Sequence, residues 1–259
     1  MSARRNVTDI LCIGCQKGST SWLHSVLNCH PQTWSFTENE PITSTDKEAH
    51  YWDWNHERGA DWYRALMTPP DPSLRSMDFT PEYACLPDDA IAECKALSPD
   101  ARVIYILRDP LARAVSAIRM YILWHLGKDH REPMHLDETL YFMMRDAKLT
   151  EHGDYLKNLR AWQRAYPDLL VINYEEFHSE RAASVQRIMA QLDLDPQALD
   201  RAQQVQLAEV LNTRVWVSEP YPFDRAALMM LHGLTWRYRV QIRAELGLHF
   251  AEGDAMLSA

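Results

Sequence analysis

One lysine near the start of the chain precedes a run of small and hydroxyl residues, and this spacing suits the binding of a phosphate group. An apolar run ends at Gly14, Lys17 follows, and Gly18-Ser19-Thr20-Ser21 lead into an amphipathic pattern typical of a helix. Backbone N–H groups of such a loop and the N-terminus of the next helix bind anions, and the lysine adds a positive charge. The stretch therefore predicts a site for a nucleotide-like ligand and a transfer reaction.

A second candidate anion site follows a later apolar run. Arg108 ends that run, Asp109-Pro110 predict a helix start, and Ser116 lies on the predicted helix. An arginine at this place can bind a phosphate through two hydrogen bonds, or it can pair with Asp109 or another carboxylate. Ligands of open parallel sheets bind at such strand ends, so two sites at two strand ends predict a ligand with two separated phosphate groups.

These two sites require strands and helices in alternation. Apolar runs predict buried strands over residues 10–14, 103–107 and 169–173, and helical patterns begin near Thr20, Pro110 and Ser179. The alternation predicts an α/β fold, namely a single domain over residues 1–259 with a central parallel sheet flanked by helices. Residues 154–166 and 224–245 predict further helices, 67–75 an irregular segment and 127–133 a polar loop.

Composition and charge exclude several classes of protein. The chain has 259 residues and a formal net charge of −9, which argues against nucleic acid or a polysulfated glycan as the main partner. No apolar stretch is long enough to span a bilayer, and the N-terminus does not resemble a signal peptide, so we expect a cytoplasmic protein. The oligomeric state is not predicted.

Cysteines and aromatic residues leave two further expectations. The five cysteines are too few for a disulfide scaffold, so we expect free thiols, and Cys12-Ile13-Gly14-Cys15 lacks a second ligand pair for zinc. No metal-ligand cluster is apparent from the spacing. The aromatic residues between positions 51 and 63 indicate either core packing or an aromatic wall for an acceptor pocket.

The loop after Gly14 differs from the loop of ordinary ATP- and GTP-binding proteins. In those proteins the loop lysine is followed directly by a serine or threonine, whereas Gly18 follows Lys17 here. A P-loop kinase-like phosphotransferase that depends on magnesium is therefore the alternative rather than the first hypothesis.

Several motifs in order resemble those of sulfotransferases that use 3′-phosphoadenosine 5′-phosphosulfate (PAPS). Residues 17–23 with His30-Pro31 resemble the 5′-phosphosulfate loop, and Arg108-Asp109-Pro110 with Arg113 and Ser116 resemble the 3′-phosphate motif. Residues 47–53 resemble the Lys-Glu-x-His-aromatic-aromatic-Asp segment of the heparan-type and related bacterial O-sulfotransferases. The similarity extends from about residue 10 to 195 and implies the same fold.

The resemblance implies which residues bind PAPS and its product, adenosine 3′,5′-bisphosphate. Lys17 would contact the bridging and 5′-phosphate oxygens, whereas Arg108 and Ser116 would bind the 3′-phosphate. Trp22 would either stack on the adenine or pack in the core. Arg214, with the two residues before it, would replace the family's C-terminal phosphate loop. The full donor-binding set is Lys17, Gly18, Ser19, Thr20, Ser21, Trp22, Arg108, Ser116 and Arg214.

The resemblance also implies a catalytic set of Lys17, Glu48, His50 and Asp53. Glu48 would act as general base on the acceptor hydroxyl, with His50 as the alternative base and Asp53 in support. The reaction would be an in-line displacement at sulfur that depends on positioning and charge stabilisation, with no metal required.

Two departures from the family pattern bear on the acceptor. Ser19 stands where the family usually has glycine, and Phe79 stands where heparan-type enzymes carry a lysine before Thr80-Pro81. The missing cation and the negative net charge favour a small or apolar hydroxyl compound over a polysaccharide. The departures also leave a non-catalytic, nucleotide-binding member of the family as an alternative.

Overall fold

Five parallel strands form one sheet in the part of the chain that the structure, a computed structural model, describes: residues 6–36, 47–126, 134–145, 148–213 and 222–258. The strands are β1 (Ile10–Gly14), β2 (Thr33–Trp34), β3 (Arg75–Asp78), β4 (Arg102–Leu107) and β5 (Leu170–Asn173). Their order across the sheet is β2-β3-β1-β4-β5, and every neighbouring pair is parallel.

Helices cover both faces of this sheet. In chain order they are α1 (Thr20–Leu27), α2 (Gly59–Leu66), α3 (Asp88–Leu97), α4 (Pro110–Leu126), α5 (Leu136–Arg145), α6 (Tyr155–Ala165), α7 (Tyr174–Ser179), α8 (Arg181–Gln191), α9 (Arg201–Asn212), α10 (Arg225–Leu246) and α11 (Ala251–Ser258). Short 3₁₀ helices cover His56–Arg58, Pro81–Cys85, Glu151–Gly153 and Pro196–Ala198. None of the described helices has the length and apolarity that a bilayer span requires.

Successive side chains of the central strands point to opposite faces of the sheet, and this divides the core into two layers. In β1, Leu11 and Ile13 belong to one buried cluster, which includes Trp162 of α6, whereas Ile10 and Cys12 belong to another. That second cluster includes Leu23 of α1. A strand buried on both faces reads as a continuous apolar run, which is why β1 and β4 could be predicted from the sequence. The predicted α/β fold with a parallel sheet is confirmed.

The strand order creates a crevice beside β1. This strand pairs with β3 on one side and with β4 on the other, so the chain leaves β1 toward one edge of the sheet and later returns to the opposite edge. Loops that leave neighbouring strands in opposite directions open a crevice at their carboxyl ends, where ligands of such sheets bind. Gly14, Asp78 and Leu107, the last residues of the three strands, therefore lie around this crevice.

The helix start predicted at Pro110 is confirmed by its cap. The Asp109 carboxylate accepts hydrogen bonds from the N–H groups of Leu111 (2.8 Å) and Ala112 (3.0 Å), as expected of an N-cap. A helix does begin near Ser179, at Arg181 of α8, but the sequence did not predict α7, which begins directly after β5. Its cap is Asn173, whose side chain accepts from the N–H of Glu175 at 3.0 Å.

Two short strands were not predicted. β2 has two residues and β3 has four, too few for a recognisable pattern, and β3 begins at Arg75, the last residue of the segment expected to be irregular. All five cysteines are free, as expected, and Cys12 and Cys15 are buried. The loop predicted at 127–133 lies outside the described residues.

Candidate functional site

The loop between β1 and α1 is a tight turn that only certain residues fit. Lys17 and Ser19 both have left-handed backbone conformations, with φ of 65° and 68°. A Cβ on Gly18 would lie 2.8 Å from Cys15 Sγ and 2.9 Å from the Cys15 carbonyl oxygen, so no other residue fits there without rearrangement. The loop ends at Thr20, the first residue of α1, where free N–H groups of the helix are available to an anion.

Ser19 keeps the backbone shape that a glycine would adopt with less strain. Its φ of 68° is unusual for a residue with a side chain, but its hydroxyl is 2.9 Å from Nε2 of His178 on α7. This hydrogen bond fixes the side chain that replaces the family's glycine. The sequence offered no local signal for His178, because the two residues are 159 positions apart.

Arg108 joins the two anion sites predicted from the sequence. It follows the last residue of β4, and its Nη1 donates a hydrogen bond to the backbone carbonyl of Lys17 at 2.8 Å. Its Nε and Nη2 bond both carboxylate oxygens of Glu252 on α11, the Nε bond at 2.9 Å. Its guanidinium carbon lies 4.6 Å from the centre of the Tyr174 ring. The carboxylate that pairs with Arg108 is therefore that of Glu252, whereas Asp109 pairs with Arg239 at 2.8 Å.

The other members of the predicted donor-binding set lie in varied surroundings. Ser116 is partly buried on α4. Trp22 is only 3% exposed; its indole N–H donates to the Val210 carbonyl at 3.0 Å, and its ring packs edge-on against Phe177. Packing in the core accounts for these contacts of Trp22, and its stacking on adenine stays a prediction. Arg214 lies outside the described residues.

Arg113, the other arginine of the resembling 3′-phosphate motif, belongs to the protein interior. Its side chain is fully buried, and its Nη2 donates to the backbone carbonyl of Leu149. Its charge acts on Cys15 and Tyr155, which are hydrogen-bonded to each other. Arg113 therefore supports the layer under the crevice.

A buried aspartate at the end of β3 anchors the segment that carries the predicted catalytic residues. Asp78 is 0% exposed and accepts hydrogen bonds from the N–H of Ala49 (3.2 Å) and the hydroxyl of Thr80 (2.7 Å). The hydroxyls of Tyr63 (2.9 Å) and Tyr83 (3.1 Å) also donate to it. Four donors around one carboxylate fix the path of residues 47–50 beside β3.

Backbone hydrogen bonds complete this anchor. The N–H of Phe79 donates to the Lys47 carbonyl at 2.7 Å, and the N–H of His50 donates to the Thr80 hydroxyl at 3.2 Å. Phe79 is fully buried and packs edge-on against His24, so this position offers no polar group to the crevice. Lys47 Nζ lies 3.3 Å from the Phe79 carbonyl and supplies a cation close to the position of the missing lysine.

Glu48, His50 and Asp53 form a hydrogen-bonded chain. His50 Nδ1 is 2.8 Å from Asp53 Oδ2, and its Nε2 is 3.3 Å from Glu48 Oε2. Burial alone would lower the pKa of His50, but hydrogen bonds to Asp53 and Glu48 outweigh it and raise the pKa to about 9. At neutral pH His50 is therefore an imidazolium that donates from both nitrogens.

The same contacts keep Glu48 ionised. Burial alone would raise the pKa of Glu48, but the hydrogen bond from His50 and the charge of Lys47 bring it to about 2. Lys47 Nζ pairs directly with Glu48 Oε1. In this arrangement Glu48 can accept a proton, whereas His50 cannot while it donates from both nitrogens. The assignment of Glu48 as the base stays a prediction.

The aromatic cluster of residues 51–63 is mostly core. Tyr51, Trp52 and Tyr63 are 1%, 6% and 0% exposed and pack against one another. Trp54 differs: it is 60% exposed, and its ring stacks on His50 with the centres 3.5 Å apart and the planes 4° apart. It offers an aromatic surface directly beside the hydrogen-bonded chain of Glu48, His50 and Asp53.

Glu82 adds a carboxyl group that sequence analysis did not single out. It follows Thr80-Pro81, and its Oε1 accepts a hydrogen bond from the Gln16 amide at 3.2 Å. Its Oε2 and the Gln16 Oε1 are buried and have no hydrogen-bond partner among the described residues. Burial raises the pKa of Glu82. The sequence carries no signal for Glu82, because β3, which precedes it by four residues, is too short to be recognised.

Glu82 also creates a grouping that sequence spacing did not reveal. One ligand atom each from Glu48, His50 and Glu82 lies within 4.8 Å of the others, close enough to hold a metal ion. Both imidazole nitrogens are already engaged with carboxylates, and the Lys47 ammonium already pairs with Glu48. These residues satisfy their charges among themselves, so they fit a resident metal poorly.

The charges of the loop after β1 and of the segment that carries Glu48 interact. Burial and the charges of Arg108 and Lys47 lower the pKa of Lys17 to about 8, and Glu48 opposes this shift. Lys17 therefore lies in the field of the residue predicted to bind the 3′-phosphate and of the predicted base. An arriving anion would restore the full charge of Lys17.

Comparison with known proteins identifies the family of this chain. The family model for the sulfotransferase domain matches residues 7–214. Human heparan sulfate glucosamine 3-O-sulfotransferase 3B1 is 28% identical over 202 residues, which are 74% of this chain and 48% of that protein. Human heparan sulfate glucosamine 3-O-sulfotransferase 6 is 27% identical over 76% of this chain and 56% of its own length. The chain thus spans about half the length of these curated relatives.

Solved structures share the fold at low sequence identity. A sulfotransferase from Alicyclobacillus acidocaldarius superposes with a TM-score of 0.65 at 16% identity, covering 95% of this chain and 98% of the other. The mouse sulfotransferase SULT7A1 complexed with PAP gives a TM-score of 0.54 at 17% identity, covering 98% and 88%. Together with the family match over residues 7–214, these findings show that the chain belongs to the sulfotransferase domain family.

Proposed function

We propose that this protein transfers a sulfuryl group from PAPS to a hydroxyl group of a small or apolar acceptor. The observation that carries the proposal is the hydrogen bond between Arg108 and the Lys17 carbonyl, because it joins two anion sites in one crevice beside Glu48. A donor with phosphate groups at both ends of an adenosine fits two such sites, whereas a donor with one linear phosphate chain needs only the first.

The donor is held by the groups already described at the ends of β1 and β4. Lys17 and the loop N–H groups of residues 18–21 hold the 5′-phosphosulfate, and Arg108 with Ser116 holds the 3′-phosphate. Trp22 and Arg214 complete the proposed set. Lys17 stabilises the charge that develops on the leaving phosphate oxygen, which makes it both a binding and a catalytic residue.

Glu48 takes the proton of the acceptor hydroxyl as the oxygen attacks sulfur. The new oxygen–sulfur bond forms opposite the breaking bond between sulfur and the phosphate oxygen, and adenosine 3′,5′-bisphosphate leaves. Asp53 fixes the imidazolium of His50 at 2.8 Å, and His50 in turn orients Glu48. The negative charge of a bound donor attracts Lys47 away from Glu48, which raises the basicity of Glu48 when it is needed.

The surroundings of Glu48 favour a small or apolar acceptor. Buried Phe79 replaces a lysine that would attract a polyanion, and Glu82 places a carboxyl group rather than a cation beside Glu48. The exposed ring of Trp54 offers an apolar contact surface beside His50. Heparan sulfate, which the names of the relatives specify, is the alternative acceptor, and the Lys47 ammonium is the feature that suits it.

A labelled-donor assay tests both the reaction and the acceptor class. Sulfur-labelled PAPS is offered with phenolic and aliphatic alcohols and, separately, with heparan sulfate oligosaccharides. We expect transfer to alcohols without magnesium and a loss of about 10²- to 10⁴-fold in Glu48→Gln. Glu57→Gln, at an exposed glutamate nearby, is the control that should keep full activity. If Glu48→Gln is as active as the wild type, Glu48 is not the base. Transfer only to the oligosaccharides would refute the acceptor class.

A further inference from the structure

The last helix of the described chain covers the arginine at the end of β4. Glu252, the second residue of α11, bonds Arg108 with both carboxylate oxygens, and the Arg108 and Glu252 side chains are only 12% and 30% exposed. Burial alone would lower the pKa of Arg108, but the hydrogen bonds and charge of Glu252 raise it above its usual value. A bidentate, partly buried pair of this kind is among the stronger ion pairs in proteins.

Several other contacts hold α11 in this position. The carboxylate of Glu175 accepts hydrogen bonds from the N–H groups of Ala251 (2.9 Å) and Glu252 (2.8 Å), so it caps the start of the helix. On the far side, Asp254 pairs with Arg239 at 2.7 Å. The placement of Glu252 is thus fixed by a docked helix rather than by one flexible side chain.

The backbone of α11 lies directly on the predicted 3′-phosphate motif. A Cβ on Gly253 would lie 2.5 Å from the Asp109 carboxylate oxygens, so the helix approaches this closely only because residue 253 is glycine. Asp109 follows Arg108 and caps α4. Gly253 therefore brings its neighbour Glu252 onto Arg108.

A second arginine acts on the same carboxylate. Burial and the charge of Arg108 lower the pKa of Arg119 on α4, and the charge of Glu252 opposes this shift. Arg119 is one turn after Ser116 on that helix. Glu252 thus places a negative charge in the field of two arginines, at the position where the resemblance assigns the 3′-phosphate.

We propose that the carboxylate of Glu252 is an internal competitor for the 3′-phosphate of the donor, so that α11 is a latch on the donor site. The inference rests on the proposed function, since it takes adenosine 3′,5′-bisphosphate as the ligand. Three of the five N–H groups of Arg108 are engaged, two of them by Glu252. A phosphate that reaches Arg108 meets the charge of Glu252 and must displace it or bind against its repulsion.

Nucleotide binding to two matched variants tests this latch. Dissociation constants are measured by calorimetry for adenosine 3′,5′-bisphosphate and for adenosine 5′-phosphate, with wild-type protein, Glu252→Gln and Glu245→Gln. Glu245 pairs with Arg160 on the exposed surface of α10, so its variant removes a carboxylate outside the crevice. Glu252→Gln should bind the bisphosphate about ten-fold more tightly, with little change for adenosine 5′-phosphate. Glu245→Gln should match the wild type.

Each contrary result has its own meaning. Equal or weaker binding of the bisphosphate by Glu252→Gln would overturn the latch while leaving the proposed donor intact. An equal gain for both nucleotides would also overturn it, because competition must be specific for the 3′-phosphate. If the wild type and Glu252→Gln both fail to bind the bisphosphate, the proposed function and the latch both fail. Thermal unfolding of each variant confirms that it is folded before binding is compared.

Discussion

The proposed donor half and the proposed acceptor half of the crevice are built in different ways. The donor half consists of the loop of residues 15–19 and Arg108, each within a few residues of a strand end. The acceptor half consists of residues 47–53 and Glu82, held by long-range hydrogen bonds to Asp78 and Thr80. The first half is rich in cations and the second in carboxylates, and Lys47 of the second half pairs with Glu48.

This difference shows which part of the reaction the fold itself provides. A phosphate group can be bound by loop N–H groups and strand-end cations, because the parallel sheet already brings these to one edge. A general base needs a defined distance to the reacting sulfur, which requires side chains fixed from several directions. The buried carboxylate of Asp78 performs that fixing here. Variants that affect one half without the other test this division.

Loss of the loop lysine should have the largest effect. Lys17→Ala removes the cation that stabilises the leaving phosphate oxygen, and we expect turnover to fall about 10²- to 10³-fold. Initial rates of bisphosphate formation with an accepted alcohol measure this. Lys157→Ala, at an exposed lysine on α6, should leave turnover unchanged. Full activity of Lys17→Ala would remove Lys17 from the catalytic set.

Loss of the strand-end arginine should act on binding rather than on the chemical step. We expect Arg108→Ala to weaken the binding of adenosine 3′,5′-bisphosphate about 30-fold, because a bidentate charged contact is lost. Adenosine 5′-phosphate should bind almost as before. Calorimetry with both nucleotides measures the difference, and Arg160→Ala on the exposed surface is the control. An equal loss for both nucleotides would contradict the assignment of Arg108 to the 3′-phosphate.

Removal of the charge beneath the acceptor half should cost stability and turnover but spare the donor half. Each carboxylate oxygen of Asp78 accepts from two donors, and Asp78→Asn replaces one of these oxygens by an NH₂ group. Two donors then lose their acceptor, and we expect the free energy of unfolding to fall by about 2 kcal/mol. Turnover should fall while bisphosphate affinity stays within about two-fold of wild type. Denaturant unfolding and calorimetry measure the two quantities, with exposed Asp71→Asn as the control. A parallel loss of bisphosphate affinity would show that the halves are not separable.

The pH dependence of stability should report the charge on His50. Its pKa is raised from 6.5 to about 9, so the stabilisation from its pairing with Asp53 and Glu48 is complete below pH 6.5 and is lost as the pH rises through 9. We expect wild type to lose on the order of 2 kcal/mol more than His50→Gln between these two pH values. Denaturant unfolding of both proteins at each pH measures the difference. Identical pH profiles would mean that His50 is not a buried imidazolium.

The sequence predicted the strands and helix starts of the proposed donor half better than those of the proposed acceptor half, for a physical reason. Gly18 and Asp109-Pro110 act through their own backbone within a few residues, and β1 and β4 are buried on both faces and so read as apolar runs. Asp78 and Glu82 act across the fold, and β3, which positions them, is too short to show a pattern. Glu48, His50 and Asp53 were found only through a family resemblance, not through spacing alone.

The C-terminal part of the chain shows the same limit. The helix capped by Asp224 was predicted from its residues, and the Asp224 side chain does accept the N–H of Ala227 at 2.7 Å. The contact of Glu252 with Arg108 joins positions 144 residues apart and leaves no local pattern. The sequence therefore indicates which residues can bind a phosphate. Only the fold shows which carboxylate already pairs with them.

The central claim is that the exits of β1 and β4 form one receptor for an adenosine phosphorylated at both ends. Calorimetric titration of the wild-type protein with adenosine 3′,5′-bisphosphate, adenosine 5′-phosphate and ATP with magnesium tests it most directly. We predict that the bisphosphate binds at least about ten-fold more tightly than either of the others and that magnesium does not alter its affinity. Tighter binding of ATP with magnesium, or equal affinity for the two adenosine phosphates, would contradict a receptor shared by Lys17 and Arg108.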